Sequence, residues 1–277
     1  MDSFVRAAAP GFNYGAAGAL SVSGPNAVNG SGVANGVFDS LIRFNTAALV
    51  TNFNSIFGTD NWAINGAKLR VTELGAPANP LFNRGTGSFE IRWIANDDWV
   101  EGTGTPNAPT NNGIAYNTEP ALLDGATDAS LGTFTNAGVD GTLSFSLALP
   151  LRFLNDVRAG GEVGLYLTAI DPATGFTVDS RSFGTTSARP FLEISAIPRP
   201  VITAMNFSGP NLVFGASNIA ANGTYELLSS TNMALPLNQW LPIATNVFME
   251  KGSFSINLTN LGSGGSASSR FFILQTQ

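Results

Sequence analysis

Apolar and polar residues alternate with a period of two along most of the chain, the signature of strands with one buried face. In the stretch GTLSFSLAL, Leu143, Phe145, Leu147 and Leu149 point one way and Ser144 and Ser146 the other. In FEIRWI, Phe89, Ile91 and Trp93 share a face opposite Glu90 and Arg92, and in EVGLYLTAI Val163, Leu165 and Leu167 lie on one side. Gly, Asn and Pro clusters separate these runs, as turns require. Helical pattern is scarce. Thr46 to Phe57 has room for one or two short turns. Pro150 to Val157 reads as a short helix, with Pro150 suited to its first turn and Gly160 and Gly161 to its end. Many short strands with few helices predict an all-β fold of the sandwich type.

The stretch AIPRPVI, around Pro198 and Pro200, reads as a linker, because proline cannot donate to a ladder and stiffens the chain. It predicts two β-sandwich domains: a large jelly-roll-like one over residues 1–197 and a small Ig-like one over 198–277. Alternation resumes beyond the linker at Asn211 to Phe214, Thr224 to Ser230, Ser253 to Leu258 and Arg270 to Gln275. Ser263 to Ser269, rich in Gly and Ser, reads as a flexible surface loop.

Composition narrows the chemistry. Of 277 residues, 44% are hydrophobic and only 12% charged, so Ser, Thr, Asn and Gly must supply solubility. The 13 basic residues are scattered under a net charge of -6, which excludes the clustered cations that nucleic acid needs and disfavours an anionic membrane surface. The chain has no cysteine and no histidine. A thiolate nucleophile, a disulfide, a zinc site of the usual ligands and a Ser-His-Asp triad are all excluded. No apolar run approaches the roughly 20 residues that span a bilayer, so no membrane insertion is expected. No signal peptide is visible, and the strand pattern begins at Asp2, which leads to the expectation that a leader has been trimmed.

Five segments, in order, resemble the DNRLRE-type domain, a secreted β-sandwich related to a carbohydrate-binding module family. They are NYGAAGALSVSG (Asn13 to Gly24), DSLIRF (Asp39 to Phe44), INGAKLRV (Ile64 to Val71), NDDWVEGTG (Asn96 to Gly104) and ARPFLEI (Ala188 to Ile194). Asn45 stands where that family usually has Asp. LLSSTNMALPLNQWLPIATNVF (Leu227 to Phe248), with the final RFFIL, resembles a C-terminal β-sandwich module of secreted proteins from environmental bacteria. The resemblance implies an extracellular or cell-surface, non-catalytic protein, and for the first domain an affinity for polysaccharide.

Aromatic rings that are exposed can pack on the apolar faces of pyranose rings. Trp93 shares a face with Phe89 and Ile91 and reads as core; the resemblance implies the same for Trp99, inside NDDWVEGTG, as the anchor of a loop over the core, and for Trp240, inside the second module's segment. Trp62, preceded by polar Asp60 and Asn61, and the loop residues Tyr14 and Tyr116 remain as candidate sugar contacts, with ordinary rim packing as the alternative. Asp97, Asp98 and Glu101 cluster with Asn96 in one loop. Such oxygen ligands suit a structural calcium, the one cofactor the sequence suggests; a solvated acidic turn is the plainer reading. Asp124 and Asp128 form a second such pair. A glycosidase needs two carboxylates held about 5–9 Å apart, and nothing in the sequence points to such a pair.

Two functions are compatible with these features. One is a non-catalytic matrix or adhesion protein that binds extracellular polysaccharide through its first domain. The other is a self-assembling subunit of an extracellular filament, sheath or surface layer, whose partners are copies of itself. Sandwich edge strands offer a route to such assembly, with Met1 to Ala9 either donated to a neighbour or serving as the domain's own first strand.

Overall fold

The computed structural model describes residues 1–29, 31–73, 85–209, 211–217, 224–247, 253–257 and 270–276. The chain is all-β, built of antiparallel sheets. Backbone proximity divides it into two units, Met1–Thr51 with Ile64–Ser195, and Asn52–Ala63 with Ala196–Gln277. The loop read at Ser263 to Ser269 lies outside the described residues.

The first ten strands are β1 (Asp2–Arg6), β2 (Ala19–Ser23), β3 (Phe38–Asn45), β4 (Trp62–Glu73), β5 (Gly87–Ile94), β6 (Ala129–Asn136), β7 (Gly141–Ser146), β8 (Glu162–Ala169), β9 (Gly175–Asp179) and β10 (Phe191–Pro198). They pair into one sheet with two arms. In one arm β3 lies between β1 and β8, and β5 joins β8 to β6. In the other, β4 pairs with β7, β9 and β10, and β9 pairs with β2. A single pairing, Ser23 with Phe38, links the arms. Phe89 of β5 meets Phe145 of β7 at 5.2 Å and Phe176 of β9 at 4.8 Å between ring centres. Rings from different arms therefore touch, and the sheet closes on an aromatic core between its own layers.

The alternation read from sequence holds here. Phe89, Ile91, Val163, Leu165 and Leu167 are buried. Strand β1 pairs with β3 from Asp2↔Ile42 to Arg6↔Phe38, so the N-terminal segment is the unit's own strand. The opposite face of β3 and β8 is not left to solvent. Residues 95–128, between β5 and β6, bring Trp99, Ile114 and Leu122 over Leu41 and Tyr166.

The helix α1 (Ala47–Phe57) is longer than the one or two turns expected of that stretch. Thr, Asn and β-branched residues give it modest intrinsic propensity, and its start is fixed by neighbours instead. Asn45 Oδ1 accepts the Ala47 N–H at 3.1 Å, and the buried Thr46 hydroxyl lies 3.1 Å from both Val157 O and Gly161 O. The second helix, α2 (Leu151–Ala159), follows Pro150 and ends on Gly160 in the left-handed conformation, φ +75°, which favours glycine.

In the second unit, β11 (Val201–Ser208), β12 (Asn211–Ser217) and β15 (Ser253–Asn257) form one sheet. The strands β14 (Leu241–Val247), β13 (Thr224–Ser230) and β16 (Phe271–Thr276) form another. Leu212, Phe214 and Ala216 of β12 pack in one cluster with Tyr225 and Leu227 of β13 and Leu274 of β16. The proline-rich linker shrinks to Arg199 and Pro200, because β10 runs through Pro198 and β11 begins at Val201.

Candidate functional site

The aromatic candidates do not form an exposed platform. Trp62 is buried: its Nε1–H donates to Asn54 Oδ1 at 2.8 Å and its ring lies 5.0 Å from that of Phe53. The polar Asp60 and Asn61 before it suggested exposure, but the helix α1 supplies both covering residues. Tyr14 is buried too, stacked on Phe4 with ring centres 4.5 Å apart and planes 9° from parallel. Tyr116 is half-buried and packs beside the Trp99 and Tyr166 cluster. The expected sugar-stacking faces of Trp62 and Tyr14 are thus turned inward. Trp93 is core, as the alternation indicated, and Trp99 is core too, whereas Trp240, also read as core, is only half-buried; Trp93 Nε1–H donates to Asp156 Oδ2 at 2.7 Å.

The acidic loop is divided among separate partners. Glu101 accepts from Arg181 Nε at 3.0 Å and Nη2, and from the Asp2 N–H at 2.9 Å. Asp97 presents its backbone carbonyl to Arg43, and burial raises its side-chain carboxyl above the usual range. The Asp98 N–H donates to Asn96 Oδ1 at 3.1 Å. Among the described residues, no group of three or more acids is placed to hold a metal ion. Asp124 and Asp128 are likewise spent on their own turn: they accept from Ala126 N, Thr127 Oγ1, Asp124 N and Ala95 N. The bond from the Ala126 N–H leads the causes that hold Asp124 below its ordinary value.

Two of the segments that carry the family resemblance dock on each other. Asn13, fully buried, donates through Nδ2 to Glu101 O at 2.6 Å and Ile114 O at 2.9 Å, and accepts at Oδ1 from Gly15 N at 3.0 Å. A methyl group at Gly104 would sit 1.8 Å from Asn13 O, so the close approach of these two loops requires glycine there.

A buried acid cluster lies under the 95–128 connection. Tyr166 O–H donates to Glu119 Oε1 at 2.6 Å, and Asp39 shares hydrogen bonds with Tyr166 and Thr168. Both residues are 4% exposed, and burial pushes Asp39 up to about 6 and Glu119 to about 7. Closed off from solvent, this cluster belongs to the packing of the unit and presents no open pair of acids to a substrate.

One open feature of the first unit is a cleft of about 260 Å³. Alternation along β4 turns Leu69 and Val71 into the core and leaves Arg70 and Thr72 outside. Thr142 of β7 is the direct cross-strand neighbour of Thr72. Thr186, Ser187 and Arg189, from the short turn before β10, form the facing wall, and Phe191 stands at 56% exposure beside them. Arg189 Nε–H donates to Phe183 O at 3.0 Å, which holds its guanidinium in place. Two guanidiniums, four hydroxyls and one exposed ring thus line the cleft, and among the described residues no acid does. Arg70 and Arg189 lie inside INGAKLRV and ARPFLEI, but sequence reading singled out neither. The available signal was the outward register of Arg70 and of Phe191, which alternates with buried Leu192.

No family model matches the chain, and no curated protein matches it.

Proposed function

We propose that the protein is a non-catalytic extracellular or cell-surface component that binds polysaccharide through its first unit, and that the ligand is acidic. The observation that carries this reading is the cleft of Arg70 and Arg189, with its hydroxyl-rich walls and exposed Phe191. A guanidinium matches a carboxylate or sulfate with two parallel hydrogen bonds. Thr72, Thr142, Thr186 and Ser187 can each donate to and accept from sugar hydroxyls. The Phe191 ring offers an apolar face for the C–H side of a pyranose. The low charge of the whole chain suits a hydrated, ion-rich exterior.

Calorimetric titration with polygalacturonate and with neutral polymers tests the reading. Heat with the acidic polymer that is lost in Arg70→Ala supports it; flat heats with every acidic polymer reject it.

A second reading, a self-assembling structural subunit, is favoured by one specific observation. The strand β11 ends its sheet and exposes Val201, Met205 and Phe207, at 38%, 55% and 75%. An uncharged edge of this kind can accept a strand from another copy. Electron microscopy of concentrated protein tests it: regular filaments would favour this reading, and particles of monomer size at every concentration would reject it.

A further inference from the structure

The second unit has a groove of its own, of about 470 Å³, with different chemistry. Its floor is the outer face of the β14-β13-β16 sheet. Tyr225 and Leu227 point into the core, which leaves Glu226 outside, directly paired with Gln275 of β16. Leu228 pairs with Pro242 of β14 on the same floor. The wall is Asn238 and Trp240, which the turn Leu237–Gln239 places above the sheet. Trp240 Nε1–H donates to Leu235 O at 2.9 Å, so the ring is held at one angle, and it remains partly exposed.

These residues suit the same class of ligand as the first cleft but the opposite charge. A fixed indole face packs on the C–H side of a sugar ring, while two amides and a carboxylate meet adjacent hydroxyls, donating and accepting. The groove has one acid and no base among its lining residues. A uronate or sulfate would face Glu226 with no cation among the described lining residues to offset it. We propose that the second unit carries a separate saccharide site at Trp240, Glu226, Asn238 and Gln275, and that it takes neutral sugar chains. This rests on the reading of the protein as a polysaccharide binder and extends it: a chain with both clefts filled joins an acidic polymer to a neutral one.

Affinity electrophoresis of the full chain tests this, in gels containing hydroxyethylcellulose, galactomannan, dextran or polygalacturonate. The expected result is retardation of the wild type by at least one neutral polymer. Trp240→Ala should weaken it tenfold or more, Gln275→Ala severalfold, and Arg70→Ala not at all. Because Gln275 is exposed, its variant reads the groove even where Trp240→Ala fails to fold. The proposal is overturned if no neutral polymer retards the wild type. It is equally overturned if retardation survives Gln275→Ala and a folded Trp240→Ala, or is lost in Arg70→Ala. Loss of the polygalacturonate response alone removes the first-unit reading and leaves this one standing.

Discussion

The two units apply one folding rule to opposite surface chemistry. In each, alternate residues of short antiparallel strands bury a core: Phe89, Ile91 and Phe176 in the first, Leu212, Phe214 and Leu227 in the second. The residues between them carry the difference. On β4 the outward positions are Arg70 and Thr72, beside a facing arginine. On β13 the outward position is Glu226, beside two amides and a tryptophan. The first unit also buries titratable groups, Asp39 and Glu119, beneath a 34-residue connection. A core period of two therefore specifies the layers, while the sign of the charge at the intervening positions specifies what each layer can hold.

The largest expected effect concerns whether the units are separate at all. Phe89→Ala and Phe214→Ala each remove a fully buried ring and should cost about 3–5 kcal/mol. Hydrogen exchange should show the loss confined to the amides of β5 and its neighbours in one case, and of β12 and its neighbours in the other. A loss shared equally across both units would make them one cooperative body and end the comparison.

Next in size is a pH effect that belongs to the first unit. Burial raises Asp39 to about 6 and Glu119 to about 7, from 3.8 and 4.5. Between those limits the folded chain binds more protons than the unfolded one, so stability is fully present below about pH 4 and falls as pH rises through 6 to 7. A shift of about two units corresponds to roughly 3 kcal/mol per group. Urea midpoints from pH 4 to 8 should decline in the wild type and much less in the Asp39→Asn, Glu119→Gln double variant. Asp2 and Asp179, also raised to about 6 by burial, leave a residual slope.

A smaller effect separates the two surfaces. Phe191→Ala should weaken polygalacturonate binding about fivefold, corresponding to roughly 1 kcal/mol of ring contact, with no change in folding stability beyond about 0.5 kcal/mol. Trp240→Ala should leave polygalacturonate binding unchanged. A common response of both variants to one polymer would mean that the clefts are not chemically distinct.

The layers were legible because alternation is local. So was the helix Leu151–Ala159, with Pro150 before it and Gly160 after. What escaped were features made by residues far apart in sequence. Trp62 looked exposed until Phe53 and Asn54 covered it. Glu101 looked like a partner of Asp97 until Arg181 claimed its carboxylate. The pairing of Asp39 with Tyr166 depends on the register of β3 with β8, and that of Tyr166 with Glu119 on the connection that folds over both strands. The cleft itself was hidden for the same reason: each of two segments supplies one arginine, Arg70 from β4 and Arg189 from the turn before β10, and only the fold sets them on facing walls.

The function proposed for the first unit rests on Arg70 and Arg189 receiving acidic sugar chains. Titration of the full chain with polygalacturonate at low salt tests it most directly, run beside Arg70→Ala. A charge-assisted bidentate bond is worth about 1.5–3 kcal/mol, so the variant should bind about 10- to 100-fold more weakly, and added salt should weaken the wild type. Wild-type binding that Arg70→Ala leaves unchanged, or no binding at all, would rule out this cleft as the site.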